Sequence, residues 1–164
     1  VPNCNWTGYE CDVLAVTSDL RIIDIEVKVS RADFKVDAKK DKWWHRQFGH
    51  YDPETRGYVT PEPIHRPWPP KVWKHYYAIP RAIWSDDLFP LAASPASGVL
   101  LLDEPNPERP SGPLRIDCVR RSTPNRDASR LTPQQAIDVA RLANLRMWEA
   151  LVASPAAQCE PEAA

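Results

Sequence analysis

Residues 9–29, YECDVLAVTSDLRIIDIEVKV, decide the architecture. Two runs rich in β-branched and apolar side chains, 9–17 and 20–29, flank Ser18-Asp19, a pair suited to a tight polar turn, and together they predict an antiparallel hairpin. In the second run a period of two puts Ile23, Ile25, Val27 and Val29 on one face and Asp24, Glu26, Lys28 and Ser30 on the other. An apolar face thus backs a charged one. The turn also allows Asp12 on the first strand to come beside Glu26 on the second.

Working outward, residues 31–47 (RADFKVDAKKDKWWHRQ) contain neither Gly nor Pro. Ser30 or Asp33 can cap a helix there, which is predicted to run to about Gln47. At helical spacing Asp33, Asp37 and Asp41 form an acidic stripe beside rows made by Arg31, Lys35, Lys39, Lys42 and Arg46, with Phe34, Val36, Trp43 and Trp44 as the apolar contacts. From Lys28 to Arg46 there are seven basic and three acidic residues, a local charge of +4 (7 − 3) in a chain whose net charge is −1. Such a patch suits phosphate binding in a protein with no global attraction to nucleic acid.

Residues 49–71 carry six prolines. That density excludes a central strand or helix and predicts a long extended loop. Strands are predicted at 72–80, 98–103 and 114–120, the middle one apolar enough for burial on both faces, with a second proline-rich loop between the last two. The final helix is marked by Thr132 as N-cap, Pro133 in the first turn and Gln135 three residues on, a capping box. Ile137, Leu142, Leu145, Trp148 and Leu151 or Val152 then form an apolar stripe expected to face the core. Residues 1–153 are expected to form one domain, with 154–164 as a disordered tail.

The 164 residues are 43% hydrophobic, enough for one core, and eighteen prolines against five glycines point to long loops. Cys4, Cys11, Cys118 and Cys159 lack metal-knuckle spacing, and Cys11 and Cys118 sit in strand-like runs where burial is the ordinary outcome. His45, His50, His65 and His75 form no pair at ligand spacing, which argues against zinc. No apolar run approaches the roughly 20 residues of a membrane span, so a soluble, cytoplasmic protein is expected.

Chemistry concentrates on the hairpin. Phosphodiester hydrolysis with magnesium or manganese requires converging carboxylates, and a lysine beside them can orient water or stabilise the phosphorane. Asp12, Glu26 and Lys28 meet that need, although a solvated strand face produces the same Glu-x-Lys alternation. Asp24 reads as a surface residue. Trp68, Trp73 and the 49–71 loop can stack on unpaired bases or on a protein partner, or pack the loop onto the body.

The segments Tyr9-Glu10-Cys11-Asp12-Val13-Leu14-Ala15-Val16 and Glu26-Val27-Lys28-Val29-Ser30-Arg31-Ala32-Asp33-Phe34 resemble the core of MmcB-like DNA-repair proteins and related phage and bacterial members of the PD-(D/E)xK nuclease superfamily. The resemblance covers about residues 9–47. It implies an α/β, restriction-endonuclease-like mixed sheet flanked by helices. Asp12 and Glu26 would then bind Mg2+ or Mn2+, and Lys28 would complete the catalytic centre. Arg31, Lys35, Lys39, Lys40, Lys42 and Arg46 form the expected nucleic-acid surface. The implied function is a metal-dependent deoxyribonuclease of DNA repair or of phage and bacterial DNA metabolism, in the cytoplasm of a bacterial or phage-infected cell. DNA is the expected partner; a protein at the proline-rich loop and a homodimer are further assemblies compatible with the reading. The superfamily usually places a helix, often with another acidic ligand, before the hairpin, whereas eleven residues precede Asp12 here. That departure gives the alternative, an inactive nuclease-like fold that binds DNA or protein.

Overall fold

The computed structural model describes residues 1–103 and 114–153. Strands β1 (Pro2–Cys4), β2 (Cys11–Val16) and β3 (Ile22–Val27) precede helix α1 (Arg31–Asp37). Four short strands follow: β4 (Trp44–His45), β5 (His50–Asp52), β6 (Gly57–Val59) and β7 (Ile64–His65). Then come β8 (Lys74–Pro80), β9 (Gly98–Leu102), β10 (Ile116–Arg120) and helix α2 (Pro133–Val152). One mixed six-stranded sheet has the order β1-β2-β3-β8-β9-β10, while β4-β7 and β5-β6 form separate two-stranded ribbons.

The predicted hairpin is β2–β3, antiparallel with Val13 opposite Ile25 and Val16 opposite Ile22. The chain then crosses through α1 and the proline-rich segment to add β8 parallel to β3. Strand β9 continues in parallel and β10 closes the edge antiparallel. Few helices accompany this α/β sheet, and none among the described residues is long and apolar enough to cross a membrane.

Alternation on β3 is as predicted, but Asp24, Glu26 and Lys28 lie on the buried face, while Ile23, Ile25 and Val27 are half-buried. The reason lies in what covers that face. Phe34 of α1, Trp43 and Leu88 pack with Tyr77 and Ile79 of β8 and Val99 and Leu101 of β9 in one cluster. A second cluster joins Cys4, Cys11, Leu14, Ile22 and Val72 to Leu131 and Val139. The acidic and basic side chains of β3 are thereby held inside a largely apolar layer, where each charge requires a partner.

Helix α1 is much shorter than predicted. Its start is correct, since the Asp33 N–H donates to Ser30 Oγ at 3.1 Å. It ends at Asp37, and the chain folds back through a 3-10 turn at Asp41–Trp43. This reversal brings Lys40, Lys42 and Trp43 onto buried carboxylates, contacts that a straight helix would have spread around its circumference. The acidic stripe is consequently not formed: Asp37 is buried and Asp41 lies beyond the helix. Val36 is exposed.

The C-terminal capping box is present, with the Thr132 N–H donating to Gln135 Oε1 at 2.9 Å and the Gln135 N–H donating to Thr132 Oγ1 at 3.2 Å. The expected core stripe is present only in part. Ile137, Leu145, Trp148 and Val152 are exposed, Leu142 packs half-buried against the second cluster, and Val139 is buried within it. Amphipathic spacing identifies a helix's apolar face, but burial depends on where the sheet ends. Cys11 is buried as expected, whereas Cys118 is exposed on edge strand β10. Cys159, the second proline-rich loop and the predicted tail lie outside the described residues.

Candidate functional site

Beneath α1, three carboxylates and three ammonium groups meet. Glu26 Oε1 accepts from Lys42 Nζ at 2.5 Å, and Glu26 Oε2 accepts from Lys28 at 3.0 Å and Lys40 at 2.8 Å. Asp37 Oδ1 contacts the same Lys28 and Lys40 ammoniums at 2.9 and 3.0 Å. Its Oδ2 accepts from Trp43 Nε1 at 3.0 Å and from the Tyr77 hydroxyl at 2.8 Å. Asp24 Oδ2 lies 3.5 Å from Lys42 Nζ. The formal charges cancel.

Burial opposes ionisation of Glu26, but Lys42, Lys40 and Lys28 overcome it and hold the carboxyl down at about 2. Asp37 is also held far below the usual carboxylate range, with Lys42 and Lys28 outweighing its burial. Both are anions at neutral pH. Lys42 and Lys40 are raised in return, because the surrounding acids outweigh the cost of burying an ammonium.

Deeper in the sheet the balance reverses. Burial pushes Asp24 up to about 6, with Lys42 opposing the rise and Glu26 adding to it. Cys11 is driven up to about 12 by burial and by the Asp24 charge, so its thiol stays protonated. His75 Nδ1 pairs with Ser97 Oγ at 2.9 Å, and burial and Lys42 push this imidazole down to about 3. Asp24 Oδ1 and His75 Nε2 are buried without hydrogen-bond partners.

The structure brings Glu26 and Lys28 together but directs Asp12 elsewhere. Asp12 Oδ2 accepts the Val27 N–H at 2.7 Å. Cys11 and Leu14 are both buried although three positions apart, which unbroken alternation does not permit. The β2–β3 ladder begins at Val13, so Asp12 lies just outside its regular register. Asp24, expected at the surface, is instead fully buried.

Sequence reasoning missed Asp37. Its helical spacing suggested a surface stripe, and only the Trp-Trp pair six residues on hinted that the chain would turn inward. Of the basic residues, Lys35 is exposed on α1 and Lys39 in the turn after it, Arg31 pairs with Asp87 at 2.8 Å, and Arg46 pairs with Asp41 at 2.7 Å. Lys42 is buried among the acids rather than presented to a ligand.

Divalent magnesium or manganese takes hard oxygen ligands, commonly one or two carboxylates with water and phosphate completing the set. Glu26 Oε2 and Asp37 Oδ1 fit that requirement, because both already contact one cationic nitrogen, Lys40 Nζ. Lys40 is the most exposed of the three lysines, its side chain being 43% exposed against 2% for Lys28 and Lys42. No cluster of three or more His, Cys, Asp or Glu side chains suited to a metal occurs among the described residues.

No family model matches the chain, and no curated protein matches it. Among solved structures it is similar to a protein of unknown function from Silicibacter pomeroyi, with a TM-score of 0.49 and 18% identity, over 99% of this chain and 84% of that one.

Proposed function

We propose that this chain is a metal-dependent deoxyribonuclease on a restriction-endonuclease-like fold, with Glu26 and Asp37 as the metal-holding carboxylates and Lys28 between them. The observation that carries the reading is the shared contact of Glu26 Oε2 and Asp37 Oδ1 with single ammonium groups. An antiparallel hairpin followed by a helix and a parallel strand, with Glu-x-Lys at the end of its second strand, also supports it. DNA repair or phage and bacterial DNA metabolism, in the cytoplasm, is the setting this reading implies.

A bound magnesium or manganese ion supplies charge neutralisation at the phosphate and a water of lowered pKa. The remaining work falls to the chain. Lys42 keeps Glu26 ionised through the 2.5 Å contact, and Trp43 and Tyr77 fix the Asp37 carboxylate. Lys28 holds a proton-bearing nitrogen between the two acids, placed to stabilise negative charge developing on phosphate. Half-exposed Lys40, paired with Glu26 and Asp37, would exchange those contacts for a phosphate oxygen. Lys35, Lys39 and Arg46 extend the basic surface outside, with phosphate contacts that position DNA independently of sequence.

A second reading, a non-cleaving nuclease-like binding module, is favoured by the 1% exposure of Glu26 and by its three ammonium contacts. Cleavage of labelled single- and double-stranded DNA with Mg2+ or Mn2+ separates the two. Wild type should cut, while Glu26→Gln and Asp37→Asn should not, with circular dichroism confirming their folds. Retained DNA binding without any wild-type cleavage would establish the binding module instead.

A further inference from the structure

Two adjoining recesses open beside Lys40. One, about 180 Å³, is lined by Tyr9, Glu10, Lys40, Asp41 and Lys42. The other, about 250 Å³, is lined by Tyr9, Asp41, Trp44, His45, Arg46 and Arg66. They share Tyr9 and Asp41, and the first is bordered by Lys40 and Lys42, which contact Glu26.

The outer recess is aromatic and carries two arginines, of which Arg46 is paired with Asp41. Arg66 Nη2 lies 2.6 Å from His45 Nδ1, and no carboxylate among the described residues pairs with Arg66. Trp44 is braced by its Nε1–H bond to the Ala38 carbonyl at 3.2 Å and by edge contact with His65. Antiparallel pairing of β4 with β7 brings Arg66 alongside Trp44 and His45.

That ribbon also roots a projecting hairpin, β5–β6. Tyr58 and Tyr51 of this hairpin are 72% and 61% exposed, and Phe48, in the connection just before it, is 98% exposed. Its turn is built rather than loose: Asp52 accepts from the Glu54 N–H and the Thr55 hydroxyl, and Tyr58 donates to the Gly49 carbonyl at 2.7 Å. Trp68 and Trp73, the loop aromatics singled out from sequence, are engaged elsewhere. Trp68 donates to the Thr123 carbonyl at 2.9 Å, and Lys74 covers the Trp73 ring. Exposed aromatics next to basic side chains are the elements from which sequence-tolerant single-strand sites are assembled.

Depth gives the second argument. Glu26 and Asp37 are 1% and 0% exposed and lie behind Lys40. A regular duplex holds its phosphates on a wide cylinder and cannot lower one into a recess of this size, whereas an unpaired strand or an extruded nucleotide can.

We propose that the Tyr9–Trp44–Arg46–Arg66 recess and the Phe48–Tyr51–Tyr58 segment form a subsite for single-stranded DNA. Arg66 holds a phosphate, Tyr9 and Trp44 border one base, and the exposed aromatics of the 48–58 segment stack on neighbouring bases. The inference rests on the phosphodiester reading of the Glu26 centre. Its test therefore runs without divalent ions, so that binding and cleavage are read separately.

Fluorescence anisotropy with the full chain in EDTA would compare a labelled strand of roughly 12 nucleotides with the matching blunt duplex. The strand should bind at least about tenfold more tightly, and Phe48→Ala should weaken it roughly five- to tenfold, the effect of losing one stacking partner. Arg66→Gln should also weaken it and reduce the salt slope by about one. Arg115→Gln, beside edge strand β10, should leave it unchanged. Phe48 is almost wholly exposed, so its replacement leaves the fold intact. Equal affinity for duplex and strand, no binding to the strand, or wild-type affinity in both Phe48→Ala and Arg66→Gln would overturn the proposal, whatever the cleavage assay shows.

Discussion

Glu26 on β3 and Asp37 at the end of α1 share two ammonium groups: Lys28 and Lys40 each contact Oε2 of Glu26 and Oδ1 of Asp37. This doubled bridge ties the short helix to the sheet and fixes the separation of the two acids. Removing either acid leaves buried Lys28 with one carboxylate fewer.

Asp37→Asn is accordingly expected to be costly. The substitution removes the anion from two ammoniums while Trp43 and Tyr77 still require acceptors. Breaking such a buried pair costs about 3–5 kcal/mol. Urea unfolding followed by tryptophan emission measures it; an unchanged midpoint would mean that the network contributes nothing to stability.

Lys40→Ala should have the opposite character. On the proposed metal-binding reading its half-exposed side chain would compete with the ion for the oxygens of Glu26 and Asp37, so its removal should tighten Mn2+ binding roughly tenfold, a difference of about 1.4 kcal/mol. Electron paramagnetic resonance of free Mn2+ reports this without any turnover. Unchanged or weaker binding would place the cation elsewhere.

His75 should impose a pH dependence on stability. Its folded value of about 3 lies below the ordinary 6.5. As pH falls from 6.5 toward 3, the unfolded chain takes up a proton that the folded protein refuses, so stability falls through that window. At pH 4 the contribution of His75 alone is a loss of order 3 kcal/mol, which proton uptake by Asp24, raised to about 6, partly offsets. His75→Gln should flatten the fall between pH 6.5 and 4, even with a lower overall stability from lost contacts with Trp43 and Tyr77. Parallel curves for the two proteins would show that His75 is not responsible.

On α2 the apolar residues should divide by location. Leu145→Gln, at an exposed position, should change stability by less than about 0.5 kcal/mol. Val139→Ala, in the cluster with Leu14 and Ile22, should cost about 1–3 kcal/mol. Thermal unfolding distinguishes them, and a large loss from Leu145→Gln would reveal burial absent from the described structure.

Much of the frame was legible along the chain. Local rules act over a few residues, so the Val- and Ile-rich hairpin, the Ser30 cap, the three later strands and the Thr132–Gln135 box could be read directly. The same rules extended α1 by ten residues too many. Propensity favours continuing a helix through Lys39–Trp43, but the attraction of buried Glu26 and Asp37 for Lys40 and Lys42 is a tertiary term that no local window contains.

The sequence by itself determined that Glu26 and Lys28 share a strand face, because a period of two follows from backbone geometry alone. Only the tertiary structure decided that this face is the buried one, that Asp37 joins it, and that Asp12 instead receives the Val27 N–H. Burial and ion pairing depend on which distant side chains close over a surface. That choice was made by Trp43, Tyr77 and Leu88, which lie far apart along the chain and meet only when the sheet is assembled.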